Sequence, residues 1–179
     1  VQGYARVIDP WTVEIARADG SSQRLTTRSI IIATGAEPVV PPIPGIEDSG
    51  YLTSETMWDA FAQMDAAPRR VAILGGGPIG CELAQALARL GSEVTLIEMA
   101  DALLGREDGD VAALARKVLE ADGVRVLTGH EAAAIERSEV IARAAHAEVR
   151  VPFDTLIVAV GRRARLTGFG LEDIGVETD

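Results

Sequence analysis

Three glycines and one glutamate carry the clearest chemical signal in the sequence. Gly75, Gly77 and Gly80 form the pattern G-x-G-x-x-G, and Glu98 follows 18 residues after the last of them. Gly75 allows a tight turn, Gly77 lets a pyrophosphate approach the backbone, and Gly80 lets a helix pack closely on a sheet. The phosphates would meet the start of that helix, where free N–H groups and the helix dipole favour negative charge. The pattern predicts a dinucleotide site.

The neighbouring sequence has the context that this pattern requires. An apolar strand is predicted at 70–74, a helix at 79–90 and a second strand at 93–98. The helix carries apolar residues at helical spacing: Ile79, Leu83, Leu87 and Leu90. A carboxylate at Glu98 accepts hydrogen bonds from both hydroxyls of the adenosine ribose and repels a 2′-phosphate. Since no Lys or Arg occurs between Glu98 and Arg106, the sequence favours NAD over NADP.

Other residues of the predicted helix permit more than one interpretation. Pro78 near its start removes an N–H group that would be unpaired in any case. Glu82, predicted in the first turn, either complements the helix dipole or points toward the nicotinamide end of a bound dinucleotide. Cys81 is the single cysteine, so an internal disulfide is excluded and a reducing compartment is indicated. We expect it to be buried packing rather than a redox group.

No catalytic residue and no metal site are predicted in the chain. His130 and His146 have no partner constellation and are interpreted as surface or strand-end histidines. No metal-ligand spacing and no supported Ser–His–Asp arrangement occurs in the sequence.

Composition excludes several classes of partner. Lys and Arg number 17 against 27 Asp and Glu, and the net charge of -10 argues against nucleic acid and anionic membranes. No apolar run approaches the length of a membrane span, and the start shows no signal peptide. We therefore expect a cytoplasmic protein. The first residue is Val1 rather than Met, so the chain is expected to be a piece of a longer one.

The first third of the chain alternates short apolar runs with turns. Residues 3–16 predict a strand pair around an Asp-Pro turn, and 19–23 predict a turn. The β-branched run 29–35 predicts a strand that is buried on both faces. A proline-rich connector over 36–50 then marks a boundary, and a short helix is expected at about 54–64.

The remaining pattern completes an α/β fold. A second helix is predicted from an N-cap at Asp110 to Gly123, with apolar residues at Val111, Leu114, Ala115, Val118 and Leu119. A strand at 124–129, an antiparallel meander at 133–151 and a buried strand at 153–161 follow. The expected architecture is a Rossmann-like parallel sheet with helices on both faces and the small meander as its final crossover.

Three segments in this order resemble the flavin-dependent pyridine nucleotide–disulfide oxidoreductases, which include lipoamide dehydrogenase, glutathione reductase and mercuric reductase. They are 30–59, 71–98 and 153–164, and the first two most resemble the mercuric-reductase-like branch. The resemblance implies an NAD domain inserted within an FAD domain, which explains a fingerprint in mid-chain. It implies three segments: 1–50 as the end of the first FAD-domain segment, 51–161 as the NAD(H)-binding domain, and 162–179 as the return to the FAD domain.

The resemblance also assigns roles to individual residues. The pyrophosphate turn would be lined by Gly75, Gly77, Pro78, Ile79 and Gly80. Glu98 would hold the adenosine ribose with Met99 beside the adenine, and Ala132 is a further adenine-side candidate. Glu82 would lie near the nicotinamide–flavin contact and Gly161 near the nicotinamide. Thr34, Gly35 and Arg162 are FAD-side candidates.

The implied enzyme passes hydride from NADH to FAD and reduces a disulfide or similar acceptor, as a homodimer through a domain that is not in this sequence. The C-x4-C pair and most of an FAD site are also not in it, so these residues are not expected to turn over alone. Arg163, Ala164 and Arg165 stand where the family often has Pro-Asn. Two alternatives stay open: an NADH oxidase or ferredoxin-reductase-type flavoenzyme without the redox disulfide, and a non-catalytic NAD-sensing module.

Overall fold

The computed structural model describes residues 1–145 and 147–178, which form two compact units. The smaller unit is Val1–Glu37 with Arg163–Asp179, and the larger is Pro38–Arg162. His146, predicted as a surface or strand-end histidine, lies outside the described residues.

The smaller unit contains a three-stranded antiparallel sheet. Its strands, in order across the sheet, are β1 (Tyr4–Asp9), β2 (Thr12–Ala16) and β3 (Ser22–Thr26). The predicted strand pair is confirmed, with Val7 opposite Val13. The Trp11 N–H donates to the Asp9 carboxylate at 2.8 Å, which closes the turn and is the main reason that the pKa of Asp9 is lowered.

The strand predicted at 29–35 is not formed. These residues have no regular secondary structure, and Ile31 is 91% exposed. A strand of this type needs neighbouring strands to pair its backbone groups and layers to cover both faces. Among the described residues no strand pairs with 29–35. The β-branched composition of this segment is therefore not sufficient for a strand.

The larger unit is built on a five-stranded parallel sheet. The remaining strands are β4 (Ala36–Pro38), β5 (Leu52–Thr53), β6 (Arg70–Leu74), β7 (Glu93–Ile97), β8 (Arg125–Leu127), β9 (Glu131–Glu136), β10 (Glu139–Ala144), β11 (Ala147–Pro152), β12 (Thr155–Val158) and β13 (Arg162–Ala164). The parallel sheet has the order β5-β12-β6-β7-β8, and β9, β10 and β11 form the antiparallel meander. The predicted parallel sheet and meander are confirmed. The short strands β4 and β13 pair with each other.

The described part of the chain contains three α-helices, with small differences from the predicted bounds. They are α1 (Met57–Phe61), α2 (Pro78–Arg89) and α3 (Gly109–Ala121). The N-cap of α3 is Asp108, so the predicted cap Asp110 instead lies in the first turn. Of the apolar residues predicted to align on α2, Leu90 is 70% exposed because the helix ends before it. Within residues 1–145 and 147–178, no helix combines the length and apolarity that crossing a bilayer requires.

Alternate residues of β6 and β12 are buried in two separate hydrophobic cores. Ile73 and Ile157 pack with residues of α2 and α3, while Leu74 and Val158 pack with the meander. Fully burying a side chain such as Ile73 contributes roughly 1.5–3 kcal/mol. Within the described residues, the helices that pack on the sheet share one core. The meander therefore covers the second face, where helices were predicted.

The proline-rich connector is part of the larger unit. Ile46 is buried in the meander-side core, and the Ile135 N–H donates to the Pro44 carbonyl at 2.8 Å. A Cβ on Gly45 would lie 2.2 Å from the Ile135 carbonyl oxygen, so only glycine permits this approach. The compact unit therefore includes the connector from Pro38 onward, because the connector packs on β9. The predicted division into 1–50, 51–161 and 162–179 stays a prediction. The assignment of the units to FAD and NAD stays a prediction.

Candidate dinucleotide-binding site

The sheet order creates a switch point beside β6. The chain runs outward from β6 to β7 and β8, whereas β12 lies on the other side of β6. In open parallel sheets, ligands bind at the carboxyl ends of the strands where the order reverses in this way. Gly75 follows β6 at that edge and begins the turn into α2.

The three fingerprint glycines have different surroundings. Gly75 has φ +105° and lies so close to β12 that a Cβ would be 2.4 Å from the Ala159 carbonyl oxygen. A Cβ on Gly80 would be 1.9 Å from the Gly75 carbonyl oxygen. A Cβ on Gly77 would meet no described atom within 4 Å. Two glycines are therefore needed for packing, while Gly77 faces open space at the start of α2.

The Glu98 carboxylate is held by two backbone N–H groups. Gly76 donates to Oε2 at 2.5 Å and Ala100 donates to Oε1 at 2.7 Å. A Cβ on Gly76 would be 3.0 Å from Glu98 Cβ and 2.5 Å from a methyl carbon of Leu103. The sequence pattern gave Gly76 no role. Its N–H nevertheless binds the Glu98 carboxylate, and its lack of a side chain leaves room for Glu98. Each carboxylate oxygen keeps further acceptor capacity for a ligand hydroxyl.

A cleft of about 190 Å³ opens at this edge of the sheet. It is lined by Pro41, Ile43, Leu74, Gly75, Ile97, Glu98, Met99, His130, Glu131, Ala132 and Val160. Four of the predicted site residues meet here: Gly75, Glu98, Met99 and Ala132. The other predicted NAD-site residues do not line it: Gly77, Pro78, Ile79, Gly80, Glu82 and Gly161.

Seven of the lining residues had no predicted site role: Pro41, Ile43, Leu74, Ile97, His130, Glu131 and Val160. Pro41 and Ile43 come from the connector that was assigned to the preceding segment. His130, interpreted as a surface or strand-end histidine, follows β8 and is half-buried in the cleft wall. The position of His130 after a predicted strand could have indicated a site residue, because the carboxyl ends of parallel strands lie at one edge of the sheet.

Glu82 is not in the first turn of α2. The helix begins at Pro78, which makes Glu82 its fifth residue, and its side chain is exposed. The interpretation as a partner of the helix dipole is therefore wrong, since that effect is confined to the first turn. Its proximity to a nicotinamide stays a prediction.

Cys81 is buried in the helix-side core, as expected for packing. Its thiol lies 3.4 Å from the Gly76 carbonyl oxygen. Burial, with a smaller effect of the negative charges of Glu98 and Glu82, raises the pKa of Cys81 to about 11. A thiol of this kind carries almost no thiolate at neutral pH and is a poor nucleophile.

The FAD-side candidates contact other residues of the chain. The Thr34 hydroxyl donates to the Arg165 carbonyl at 2.7 Å, and Gly35 has φ +73°. The Arg162 guanidinium donates to the Ser54 hydroxyl at 2.9 Å and to the Glu55 carboxylate at 3.2 Å. The place of Thr34, Gly35 and Arg162 beside a flavin stays a prediction. Residues 1–145 and 147–178 contain no cluster of His, Cys, Asp and Glu that could hold a metal ion.

Comparison with known proteins agrees with the sheet, the switch point and the glycine turn. The family model of the pyridine nucleotide-disulphide oxidoreductases matches residues 1–179. The chain belongs to this family. A dihydrolipoyl dehydrogenase of Thermus scotoductus is 37% identical over 188 residues, which is 100% of this chain and 38% of that protein. A mercuric reductase of Lysinibacillus sphaericus is 34% identical over 183 residues, 99% of this chain and 32% of that protein.

Solved structures give the same result. The HOCl-induced flavoprotein disulfide reductase RclA from Escherichia coli has a TM-score of 0.79 at 31% identity, covering 100% of this chain and 40% of that one. The chain thus spans roughly two fifths of the length of these relatives. Enzymes of the family depend on a flavin and NAD(P)H.

The glycine turn yields a prediction about stability. Gly80→Ala should lower the free energy of unfolding by about 3 kcal/mol, because its Cβ would overlap the Gly75 carbonyl oxygen. Gly77→Ala is the matched control. Its φ of -74° suits any residue and its Cβ meets open space, so the change should stay within about 1 kcal/mol. Urea unfolding followed by circular dichroism measures both. Equal losses in the two variants would contradict this geometry.

The raised pKa of Cys81 predicts slow alkylation. At pH 8 the folded chain should react with iodoacetamide about 100-fold more slowly than the urea-unfolded chain, because a pKa of about 11 against the ordinary 9.0 leaves that much less thiolate. The higher folded pKa also means that stability falls as pH rises from about 9 toward 11. Mass spectrometry of labelled protein gives the rates. Equally fast labelling of both forms would show an accessible, ionised thiol.

Proposed function

We propose that the larger unit is the NAD(H)-binding part of an FAD-dependent pyridine nucleotide–disulfide oxidoreductase. In this proposal residues 51–161, with the connector from Pro38, are inserted in an FAD domain to which the flanking segments belong. The observation that carries it is the pair of backbone N–H groups that fix the Glu98 carboxylate beside the glycine turn. Glu98 and the start of α2 therefore lie at the same edge of the sheet, and no described side chain caps the first N–H groups of α2.

The residues present fit a dinucleotide. Open space at Gly77 leaves room for a pyrophosphate next to the first N–H groups of α2. Pro78 occupies the first helical position, where an N–H group is not needed for the helix. Ile79 and Gly80 continue that first turn and would bring their backbone N–H groups toward the phosphates. Gly75 closes the turn against β12.

The adenosine half would lie along the cleft. The Glu98 carboxylate would accept hydrogen bonds from the ribose hydroxyls, with Met99 and Ala132 beside the adenine. At the other half, Glu82 and Gly161 would lie toward the nicotinamide. The Gly161 carbonyl accepts from the Val39 N–H at 3.0 Å, which holds the segment after β12 against the connector.

The charges in the cleft favour NAD(H) over NADP(H). Its ionisable acids are Glu98 and Glu131, and no Lys or Arg is among the described residues that line it. A 2′-phosphate would bring further negative charge to the Glu98 carboxylate.

In the complete enzyme, NADH bound by these residues would supply a hydride for reduction, through FAD, of a disulfide or similar acceptor. These residues bind and orient the dinucleotide. The chain has a single cysteine, so its own residues do not supply a redox-active dithiol. We therefore do not expect the 179 residues to turn over alone, and we propose a homodimer for the parent enzyme.

The relatives favour disulfide reduction over the two alternatives. Their names are dihydrolipoyl dehydrogenase and mercuric reductase, and a solved neighbour is called a flavoprotein disulfide reductase. These names describe enzymes rather than sensing modules. They support the proposed reaction class and leave the acceptor unspecified.

Titration calorimetry of the 179-residue chain with NADH and NADPH tests the cofactor proposal. We expect NADH to bind at least tenfold more tightly than NADPH. Glu98→Arg should abolish that preference or reverse it, because the ribose loses its acceptor and a 2′-phosphate gains a partner.

Glu93→Arg is the matched control. It makes the same charge change at the opposite end of β7, where Glu93 meets Arg69 on the surface. Both affinities should stay within about twofold of the original. Tighter binding of NADPH by the unmodified chain, or no binding of NADH, would contradict the proposal.

A further inference from the structure

His130 is tied to the same edge as Glu98 by the backbone. The His130 N–H donates to the Glu98 carbonyl at 3.0 Å, and the Gly129 N–H donates to the Ala100 carbonyl at 2.8 Å. These bonds join the segment that follows β7 to the segment that follows β8. These bonds hold His130 in the cleft wall, which Glu98 also lines.

The hydrogen bonds of the imidazole determine its tautomer. Nδ1 lies 2.7 Å from the Thr128 carbonyl oxygen, and because a carbonyl only accepts, Nδ1 must carry the hydrogen. In the neutral ring, Nε2 is then an acceptor. The Thr128 hydroxyl accepts from the Arg116 guanidinium at 3.0 Å, and Arg116 donates to Glu120 at 2.8 Å. The strand end that holds His130 is thus attached to α3.

The cleft offers acceptors through all of its polar side chains. Glu98 and Glu131 carry carboxylate groups, and a neutral imidazole at His130 would add the Nε2 lone pair. The other lining side chains are apolar: Pro41, Ile43, Leu74, Ile97, Met99, Ala132 and Val160. Apolar walls with acceptors at the edge suit a flat ring whose own edge carries N–H donors. A ring with oxygen acceptors at its edge would bring its lone pairs against those of the cleft residues, which is unfavourable.

We propose that His130 is a specificity-determining residue that recognises the 6-amino group of adenine, with Nε2 accepting one of its N–H groups. This inference rests on the proposed NAD(H) site. It narrows the ligand to a dinucleotide whose purine carries an amino group at C6 and whose ribose has a free 2′-hydroxyl. A purine with a keto oxygen at C6 would set an acceptor against Nε2.

The test compares NADH with reduced nicotinamide hypoxanthine dinucleotide, which differs by the keto oxygen at C6. Calorimetry of the 179-residue chain at pH 8 should show about tenfold tighter binding of NADH. His130→Phe keeps a ring and removes the acceptor. It should weaken NADH about tenfold and bring the two affinities within about twofold of each other. Arg125→Gln, at an exposed position of β8, should change neither affinity.

The outcomes separate this inference from the proposed function. Equal affinity of the unmodified chain for the two dinucleotides would overturn the role of His130 and leave the NAD(H) site intact. So would His130→Phe weakening both dinucleotides by the same factor, because lost packing does not distinguish the bases. Failure of NADH to bind would overturn both.

Discussion

The site depends on the hydrogen bonds that Gly76 and Ala100 donate to the Glu98 carboxylate. They join the turn after β6 to the segment after β7, and they fix the orientation of the carboxylate. The close approach requires that residue 76 have no side chain, since a Cβ would crowd both Glu98 and Leu103. The two N–H groups give this half-buried carboxylate hydrogen bonds that replace part of its contact with water. The glycine turn and the acid are thus one structural unit rather than two independent parts of a motif.

The rest of the larger unit holds this pairing in place. The parallel sheet aligns the ends of β6, β7 and β8 at one edge, and Gly80 lets α2 lie directly against the Gly75 carbonyl. The meander buries the second face of the sheet and carries Ala132 at its start. The connector packs on β9 through Gly45 and brings Pro41 and Ile43 to the cleft. A fold with helices on one face can therefore form a cleft whose walls come from distant parts of the sequence.

Local patterns predicted the parts that are decided locally. The strands at β6 and β7, the turn glycines and the acid after β7 follow from spacing and from the demands of a strand–turn–helix unit. The prediction of a strand at 29–35 is wrong because a strand buried on both faces needs neighbouring strands, which composition does not reveal. The start of α3 was placed two residues late because Asp108 and Asp110 are both acceptable caps. The role of the connector in the cleft was missed because it depends on contacts with residues about 90 positions later in the chain. The role of His130 was missed because it depends on the neighbouring strand end at Glu98. No local sequence pattern encodes either contact.

The most direct test of the central claim is a crystal structure of the 179-residue chain with NADH. The account predicts that the ribose hydroxyls of the adenosine lie within hydrogen-bonding distance of the Glu98 carboxylate while Gly76 and Ala100 still donate to it. The pyrophosphate should lie at the start of α2 beside Gly77. A dinucleotide bound elsewhere, or one that displaces Glu98 from Gly76 and Ala100, would contradict it.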